Sequence, residues 1–158
     1  MGSIVERTRR AMTESKPYAN SMRPGAAVPD LLRQAGLRPT RQRLALGGLL
    51  FSGEDRHVTA EQLHAEVEGL GEHVSLATVY NTLHQFKRAG LLRELAVEGS
   101  KAYFDTNTSN HNHFLVEPDG TVMDIPGDSI QVSGLPAPPE GMRITHIDVV
   151  VRLAKKNA

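Results

Sequence analysis

The 158-residue chain contains no cysteine. This absence excludes disulfide bonds, thiolate zinc sites and a cysteine nucleophile, and it agrees with a reducing cytoplasm. No stretch reaches the about 18 consecutive apolar residues that a membrane-spanning helix needs. The basic segment from Arg7 to Arg10 is not followed by an apolar run. The sequence therefore predicts neither a membrane span nor a secretory signal.

A net charge is also lacking, since 18 basic residues balance 18 acidic ones. The charges are nevertheless distributed unevenly. Up to Phe104 there are 14 Lys and Arg against 11 Asp and Glu, and beyond it 4 against 7. A basic front and an acidic back favour two roles, one facing phosphate groups and one facing cations.

Residues 1–29 show no apolar periodicity and contain Gly, Pro, Ser and Asn. They are predicted to form a flexible basic arm, with a short helix around Val5 to Ser15. Two interpretations stay open for this arm, a segment that contacts DNA and an unstructured terminus or expression remnant near Gly2-Ser3. Its basic residues are Arg7, Arg9, Arg10, Lys16 and Arg23.

Residues 30–105 combine four helical patterns with a hairpin. The first helix is predicted to be capped by Asp30 and the third by Thr59, in a capping box with Gln62, while the second is predicted to open at Pro39-Thr40 and the fourth at Ser75. In the fourth helix we expect Leu76, Val79, Leu83 and Phe86 to face the core. The apolar stretches Leu91–Val97 and Lys101–Phe104 flank Glu98-Gly99-Ser100, a pattern typical of a hairpin. This order predicts a winged helix-turn-helix.

Residues 106–158 have a different texture. Strands are predicted over His113–Glu117, Thr121–Ile125 and Met142–Leu153, and a proline-rich segment over Gly134–Gly141 excludes a long helix. Three short strands cannot protect their own edges, which favours dimerisation across a sheet. The fold class is therefore α+β, an N-terminal winged helix-turn-helix followed by a small α/β dimerisation domain.

The fourth helix carries the strongest chemical signal, because its exposed side chains suit double-stranded DNA. Asn81 can pair with adenine, Tyr80 can pack on a thymine methyl group or a phosphate, and Thr78 can reach either. Basic residues around the helix, including Arg43 and Arg88, can position phosphates. The residues predicted to bind DNA are Arg38, Arg41, Ser75, Ala77, Thr78, Tyr80, Asn81 and Lys87.

His111 and His113 alternate on a predicted strand, so both imidazoles point the same way. They are candidate metal or haem ligands, and the alternative is two surface histidines. No Ser/His/Asp set, phosphate-binding glycine loop or HExxH motif is present, so no enzyme is predicted. A metal- or haem-buffering protein without DNA binding is a further alternative, which the winged-helix pattern argues against.

Three sequence strings together resemble the ferric uptake regulator superfamily, over about Asp30 to Leu153. The resemblance implies a homodimer, or a higher oligomer, on palindromic DNA, with metal sites at the domain junction. The strings are Gly36-Leu37-Arg38-Pro39-Thr40-Arg41-Gln42-Arg43, His57-Val58-Thr59-Ala60-Glu61 and Ser75-Leu76-Ala77-Thr78-Val79-Tyr80-Asn81-Thr82-Leu83.

The resemblance also implies an inter-domain metal site. Where the family has three histidines and two glutamates, this chain has three histidines and two aspartates, a set that suits zinc, manganese or ferrous iron. Bound metal or haem at this hinge would fix the angle between the two winged helices of a dimer. The residues are His57, Asp105, His111, His113 and Asp124.

Two other family sites are altered. Val116 and Asp119 stand where the first cysteine pair of the structural zinc site belongs, so a four-cysteine zinc is not expected. The second regulatory site is replaced by Asn110, Asn112, Gln131 and Ile147.

With these departures, the chain resembles the iron response regulator branch of the superfamily. That resemblance implies a regulator that binds DNA under low iron and is released by haem through a histidine-based site. A divalent-metal co-repressed regulator is the alternative. The remaining histidines are expected at the surface or in packing, and they are His64, His73, His84 and His146.

Overall fold

The computed structural model describes residues 27–97, 101–117 and 119–156. The chain divides into two compact units whose boundary lies between Ser109 and Asn110, whereas the sequence pattern placed the boundary after Asp105. Nearly all of the expected basic arm, including the helix around Val5 to Ser15, lies outside the described residues. The turn of the expected hairpin, residues 98–100, lies outside them too.

The first unit is a winged helix-turn-helix, as the sequence predicts. Its strands β1 (His57–Val58), β2 (Arg93–Ala96) and β3 (Ala102–Asp105) form one sheet. The strand order is β1-β3-β2, and both pairings are antiparallel. The two-residue strand β1 was not expected from the sequence, because it is too short to show a period. The elements in chain order are α1 (Val28–Gln34), α2 (Arg41–Phe51), β1 (His57–Val58), α3 (Ala60–Gly69), α4 (Leu76–Arg88), β2 (Arg93–Ala96) and β3 (Ala102–Asp105).

The expected capping box at Thr59 is confirmed, and the expected helix starts at Thr40 and Ser75 carry side-chain caps as well. The hydroxyl groups of Thr40, Thr59 and Ser75 each accept a hydrogen bond from the backbone N–H three residues later. The side-chain oxygen of Gln62 also accepts a hydrogen bond from the backbone N–H of Thr59, which completes the capping box. These bonds satisfy N–H groups that have no partner within the helix.

The expected cap at Asp30 is wrong. Helix α1 begins earlier, at Val28, with Ala27 as its N-cap and a proline in its first turn. The fixed φ of Pro29 suits the first turn of a helix and moves the start ahead of Asp30. Asp30 instead forms an exposed ion pair with Arg33, 2.8 Å apart.

The core of this unit is built where the helices meet. Leu32, Leu46, Leu63 and Val79 are fully buried, and Phe51 packs against Phe86 with ring centroids 5.5 Å apart. Of the four α4 residues predicted to face the core, Val79, Leu83 and Phe86 do so. Leu76 does not, because the first residue of α4 lies at the edge of the packed region and is 36% exposed.

The second unit is a three-stranded sheet in the order β5-β4-β6. Its strands are β4 (His111–Val116), β5 (Thr121–Pro126) and β6 (Val150–Leu153), and a 3₁₀ turn at Gly127–Ser129 follows β5. Strand β4 pairs with β5 antiparallel and with β6 parallel. The expected strand over Met142–Leu153 is therefore wrong in length: residues 142–149 lack strand structure, and only the last four residues pair with β4.

This second unit has a thin apolar core. Among its described residues, Leu115 and Ile125 are the buried apolar side chains. Several large apolar side chains remain exposed in the single chain, namely Met123, Val132, Leu135 and Met142. So little buried apolar area gives a small sheet little stability of its own.

Replacing Thr59 by Ala removes the side-chain half of the capping box while leaving the helix composition almost unchanged. We expect the free energy of unfolding to fall by about 1 kcal/mol, because one N–H at the start of α3 loses its partner. Urea denaturation followed by circular dichroism measures this. Ser52→Ala, at the exposed C-terminal end of α2, is the matched control and should change stability by less than about 0.5 kcal/mol. Equal stability of both variants would contradict the capping assignment.

Candidate functional site

Helix α4 presents one polar face and buries the other. Ser75 caps its N-terminus: the Ser75 hydroxyl accepts from the Thr78 N–H at 3.1 Å and lies 2.9 Å from the Thr78 hydroxyl. Ala77 and Asn81 are exposed, and Thr78 and Tyr80 are half-buried. A helix N-terminus with polar, exposed side chains suits insertion into the major groove and contact with phosphates.

Thr82, on the opposite face of α4, was not singled out from the sequence. It is buried, and its hydroxyl donates to the carbonyl oxygen of Thr78 at 2.8 Å. This bond gives the hydroxyl a partner inside the helix, so the buried face needs no water. A polar residue between apolar ones hid this core position from pattern reading.

The basic residues around α4 are mostly held by acidic or polar partners. Arg41 forms an exposed ion pair with Glu72 at 3.0 Å, and Lys87 forms one with Glu94. Arg38 is exposed. These three side chains remain accessible to phosphate, but DNA would have to compete with Glu72 and Glu94 for two of them.

Arg43 is half-buried, and its guanidinium holds neighbouring segments of the unit together. Its guanidinium donates twice to the Gln85 side chain, at 2.9 and 3.1 Å, and once to the carbonyl oxygen of Arg38 at 2.9 Å. Because Arg43 lies on α2 and Gln85 on α4, these bonds join the two helices. Arg43 therefore fixes α4 in place.

Tyr80 has a partner that sequence reasoning missed. Its hydroxyl donates to Glu61 Oε1 on α3 at 2.7 Å. This hydrogen bond lowers the pKa of the Glu61 carboxyl group and raises the pKa of the Tyr80 hydroxyl. On the next turn of α4, His84 lies 6.5 Å from the Tyr80 ring between centroids, nearly parallel to it. Tyr80 and Glu61 are 19 residues apart in sequence, so no local pattern indicates their hydrogen bond.

Two of the candidate metal ligands lie together in the first unit. His57 on β1 stands opposite Asp105 on β3 in the strand register. The His57 Nε2 atom lies 3.3 Å from Asp105 Oδ2, and the Asp105 side chain is 1% exposed. The other carboxylate oxygen of Asp105 accepts from the backbone N–H of Asn107 at 2.8 Å. An imidazole and a buried, oriented carboxylate thus lie where both could act as metal ligands.

The other three candidate ligands lie together in the second unit. His111 and His113 share one face of β4, with their Nε2 atoms 2.8 Å apart. Asp124 stands opposite His113 on β5, and its Oδ1 lies 3.4 Å from His111 Nε2 and 3.8 Å from His113 Nε2. Ligand atoms of the three side chains all lie within 4.8 Å of one another. Both imidazoles are buried, so the alternative of two surface histidines is wrong.

The residues that replace the family's other sites offer few ligand atoms. Asn110 and Gln131 are exposed, Asn112 is buried and Ile147 is half-buried. Val116 and Asp119 bring no thiolate to the end of β4.

Of the four histidines expected at the surface or in packing, His84 packs edge-on against Phe104 and His146 pairs with Asp148 at 2.8 Å. His64 pairs with Glu68 at 3.5 Å, and His73 is exposed.

A hydrogen-bond network holds the segment after Asp105 against the first unit. The buried Thr106 hydroxyl accepts from the Arg56 backbone N–H at 2.8 Å and donates to Asp55 at 3.1 Å. The Arg56 guanidinium in turn donates two hydrogen bonds to Glu66 on α3, and hydrogen bonding to Glu66 raises its pKa. This network fixes the end of β3 and with it Asp105.

Comparison with known proteins gives this geometry a family. The model of the "Ferric uptake regulator family" matches residues 34–152. This chain belongs to the ferric uptake regulator family. The ferric uptake regulation protein of Shigella flexneri is 37% identical over 117 residues, which cover 73% of this chain and 79% of that protein. Members of the family are transcription regulators, so the expectation of a non-enzyme is confirmed.

Two further relatives widen the comparison. The peroxide-responsive repressor PerR of Staphylococcus aureus (strain Mu50) is 40% identical over 93 residues, 59% of this chain and 62% of that one. The structure of the ferric uptake regulator from Pseudomonas aeruginosa with manganese superimposes with a TM-score of 0.63 at 28% identity. It covers 84% of this chain and 100% of that chain. The expected fold class is confirmed.

Within the part of the chain that the structure describes, no helix is both long enough and apolar enough to cross a membrane.

Replacing Thr106 by Val keeps its volume and removes its hydroxyl. We expect the free energy of unfolding to fall by about 1–3 kcal/mol, because the buried N–H of Arg56 loses its acceptor. Urea denaturation in the presence of a chelator measures this without a contribution from bound metal. Thr106→Ser retains the hydroxyl and should lose much less. A valine variant as stable as the wild type would show that the network does not hold this segment.

Proposed function

We propose that this protein is a DNA-binding transcription regulator whose affinity for its operator is set by a divalent metal ion. The observation that carries the proposal is the convergence of His111, His113 and Asp124, two buried imidazoles and a carboxylate on paired strands. Such a cluster is costly to bury unless its polar atoms are used. The regulator would act on DNA in the cytoplasm.

The donor chemistry fits a first-row divalent cation. Three imidazoles and two carboxylates, with no thiolate, suit zinc, manganese or ferrous iron. Two imidazole nitrogens bound to one such ion lie about 3 Å apart, close to the 2.8 Å between the Nε2 atoms of His111 and His113. The Pseudomonas aeruginosa relative contains manganese, which makes this ion the first choice for a test.

We further propose that the two groups of ligands, His57 with Asp105 and His111 with His113 and Asp124, bind the same ion. Asp105 ends β3 and His111 begins β4, so a short linker joins the two halves covalently. The Thr106 network holds the first half against its own unit. When bound, the ion would neutralise both carboxylates and link the winged helix to the second unit. His57 and Asp105 would supply ligands from one side, and His111, His113 and Asp124 from the other.

The DNA contact in this proposal is made by α4. Its N-terminus and exposed face would enter the major groove, with Asn81 on an adenine edge and Thr78 beside it. Phosphates would be held by basic side chains and by the helix start. The full set of residues proposed to contact DNA, through bases or phosphates, is Arg38, Arg41, Ser75, Ala77, Thr78, Tyr80, Asn81 and Lys87.

A homodimer, or a higher oligomer, is part of the proposal. The second unit has little apolar core of its own and leaves Met123, Leu135 and Met142 exposed. A second copy would cover such side chains and complete the sheet edges. Two winged helices related by a two-fold axis read palindromic half-sites at one fixed spacing. A linkage between the units would thereby control DNA affinity.

Haem is the second candidate signal, in the manner of the iron response regulator branch. It is supported by the lack of ligands at Asn110, Asn112, Gln131 and Ile147, which removes the second metal site of the family. Haem iron accepts imidazole. His111 or His113 would hold the haem iron through an imidazole nitrogen, and the bound iron would supply the signal.

Fluorescence anisotropy on a palindromic DNA duplex selected from a random pool tests the proposal, with Mn(II), Zn(II), Fe(II) and haem titrated separately after chelation. We expect one of the divalent ions to raise wild-type affinity by about 5–150-fold, the usual range of coupling between two sites. Asp124→Asn and the double variant His111→Ala with His113→Ala should lose most of this increase. His146→Ala, which removes an exposed imidazole from the same unit, should respond as the wild type does.

The other outcomes are equally informative. If haem alone releases the chelated protein from DNA and no divalent ion has an effect, haem is the signal and the metal proposal is wrong. If Asp124→Asn and the double variant respond to metal like the wild type, the cluster is not the sensor. Isothermal titration calorimetry with the metal alone checks that the variants have lost the ion itself.

A further inference from the structure

The hydrogen bond between Tyr80 and Glu61 joins the helix proposed to read DNA to the helix before it. Tyr80 lies on α4 and Glu61 in the first turn of α3, and the hydroxyl-to-carboxylate distance is 2.7 Å. Glu61 is exposed and Tyr80 half-buried. The contact therefore lies at the surface, next to the exposed residues Ala77 and Asn81 of α4, rather than in the core.

This contact fixes the hydrogen-bonding capacity of the tyrosine. A phenol has one O–H to donate, and here it is donated to Glu61. The same bond lowers the pKa of the Glu61 carboxyl group and raises the pKa of the Tyr80 hydroxyl, so it favours the pairing of a carboxylate with a protonated phenol. The Tyr80 oxygen is left with acceptor capacity only. A phosphate oxygen is also an acceptor, so the hydroxyl cannot donate to it while the bond to Glu61 persists.

The charge around the hydroxyl points the same way. The Glu61 carboxylate carries a negative charge, and the positive charge of Lys101 lowers its pKa further. A carboxylate beside the hydroxyl repels a phosphate group at that end of the ring. The ring itself is supported on one side by His84. Both neighbours restrict where the ring can lie.

We propose that Glu61 is a positioning residue that turns the Tyr80 ring, rather than its hydroxyl, toward the DNA, so that the protein recognises the 5-methyl group of thymine. This inference rests on the proposed DNA-binding function and deepens it. Of the two roles open to Tyr80 from its sequence position, methyl packing or phosphate binding, the geometry selects the first. Glu61 has no direct contact with DNA in this role.

Single thymine-to-deoxyuracil replacements in the selected duplex test the inference, because each removes one methyl group and nothing else. We expect at least one position per half-site at which the wild type, loaded with Mn(II), binds uracil DNA about 4-fold more weakly, the value of one buried methyl group. Glu61→Ala should bind thymine and uracil DNA equally at that position. Tyr80→Phe should behave like Glu61→Ala, because it cannot form the bond.

Two variants separate positioning from charge and from stability. Glu61→Gln removes the negative charge but keeps an oxygen that accepts from Tyr80, so it should restore the 4-fold preference. Glu68→Gln removes one charge elsewhere on α3 and should keep the preference unchanged. The double variant Glu61→Ala with Tyr80→Phe should show no further loss beyond either single variant, since the two residues act as one unit.

The possible results distinguish the inference from the function on which it rests. If the wild type binds DNA but Glu61→Ala retains the methyl preference, or if the wild type shows none at any position, the inference is overturned and the DNA-binding proposal stands. If the wild type binds no duplex under any metal or haem condition, both are overturned. A loss in Glu61→Ala that Glu61→Gln restores supports positioning through the hydrogen bond.

Discussion

The burial of one face of α4 is the constraint on which the rest of the first unit depends. Val79, Leu83 and Phe86 are fully buried against the other helices, and Phe86 contacts Phe51 of α2. A helix repeats every 3.6 residues, so fixing this face also fixes which residues face solvent. Ala77 and Asn81 are exposed for that reason. The hydrogen bonds from Arg43 to Gln85 then lock the helix against rotation.

Strand pairing positions the proposed metal ligands, as helix packing positions the residues proposed to read DNA. His57 meets Asp105 because β1 and β3 pair in that register, and Asp124 meets His113 because β4 and β5 do. A shift of one residue in either pairing would turn the side chains to opposite faces. The Thr106 network protects the first pairing, since it ties the end of β3 to the residues just before β1.

Acidic side chains beside the polar face of α4 give this surface its character. Glu72, Glu94 and Glu61 pair with Arg41, Lys87 and Tyr80 respectively. The pairing agrees with a chain of zero net charge. Affinity for phosphate alone is weakened when cations already have carboxylate partners, so the proposed DNA binding would depend more on contacts with the bases.

The sequence by itself determined the helices, the capping box at Thr59, the family and the identity of the candidate ligands. These features depend on neighbours three or four residues apart, such as Thr59 with Gln62, and those are visible in the chain. Tertiary structure decided the two-residue β1, the short β6, the exposure of Leu76, and the hydrogen bonds of Arg43, Thr106 and Glu61. Each of these depends on a partner far away in sequence, or on where a packed region ends. The period of a segment carries no information about such a partner, because only the folded chain brings the two together.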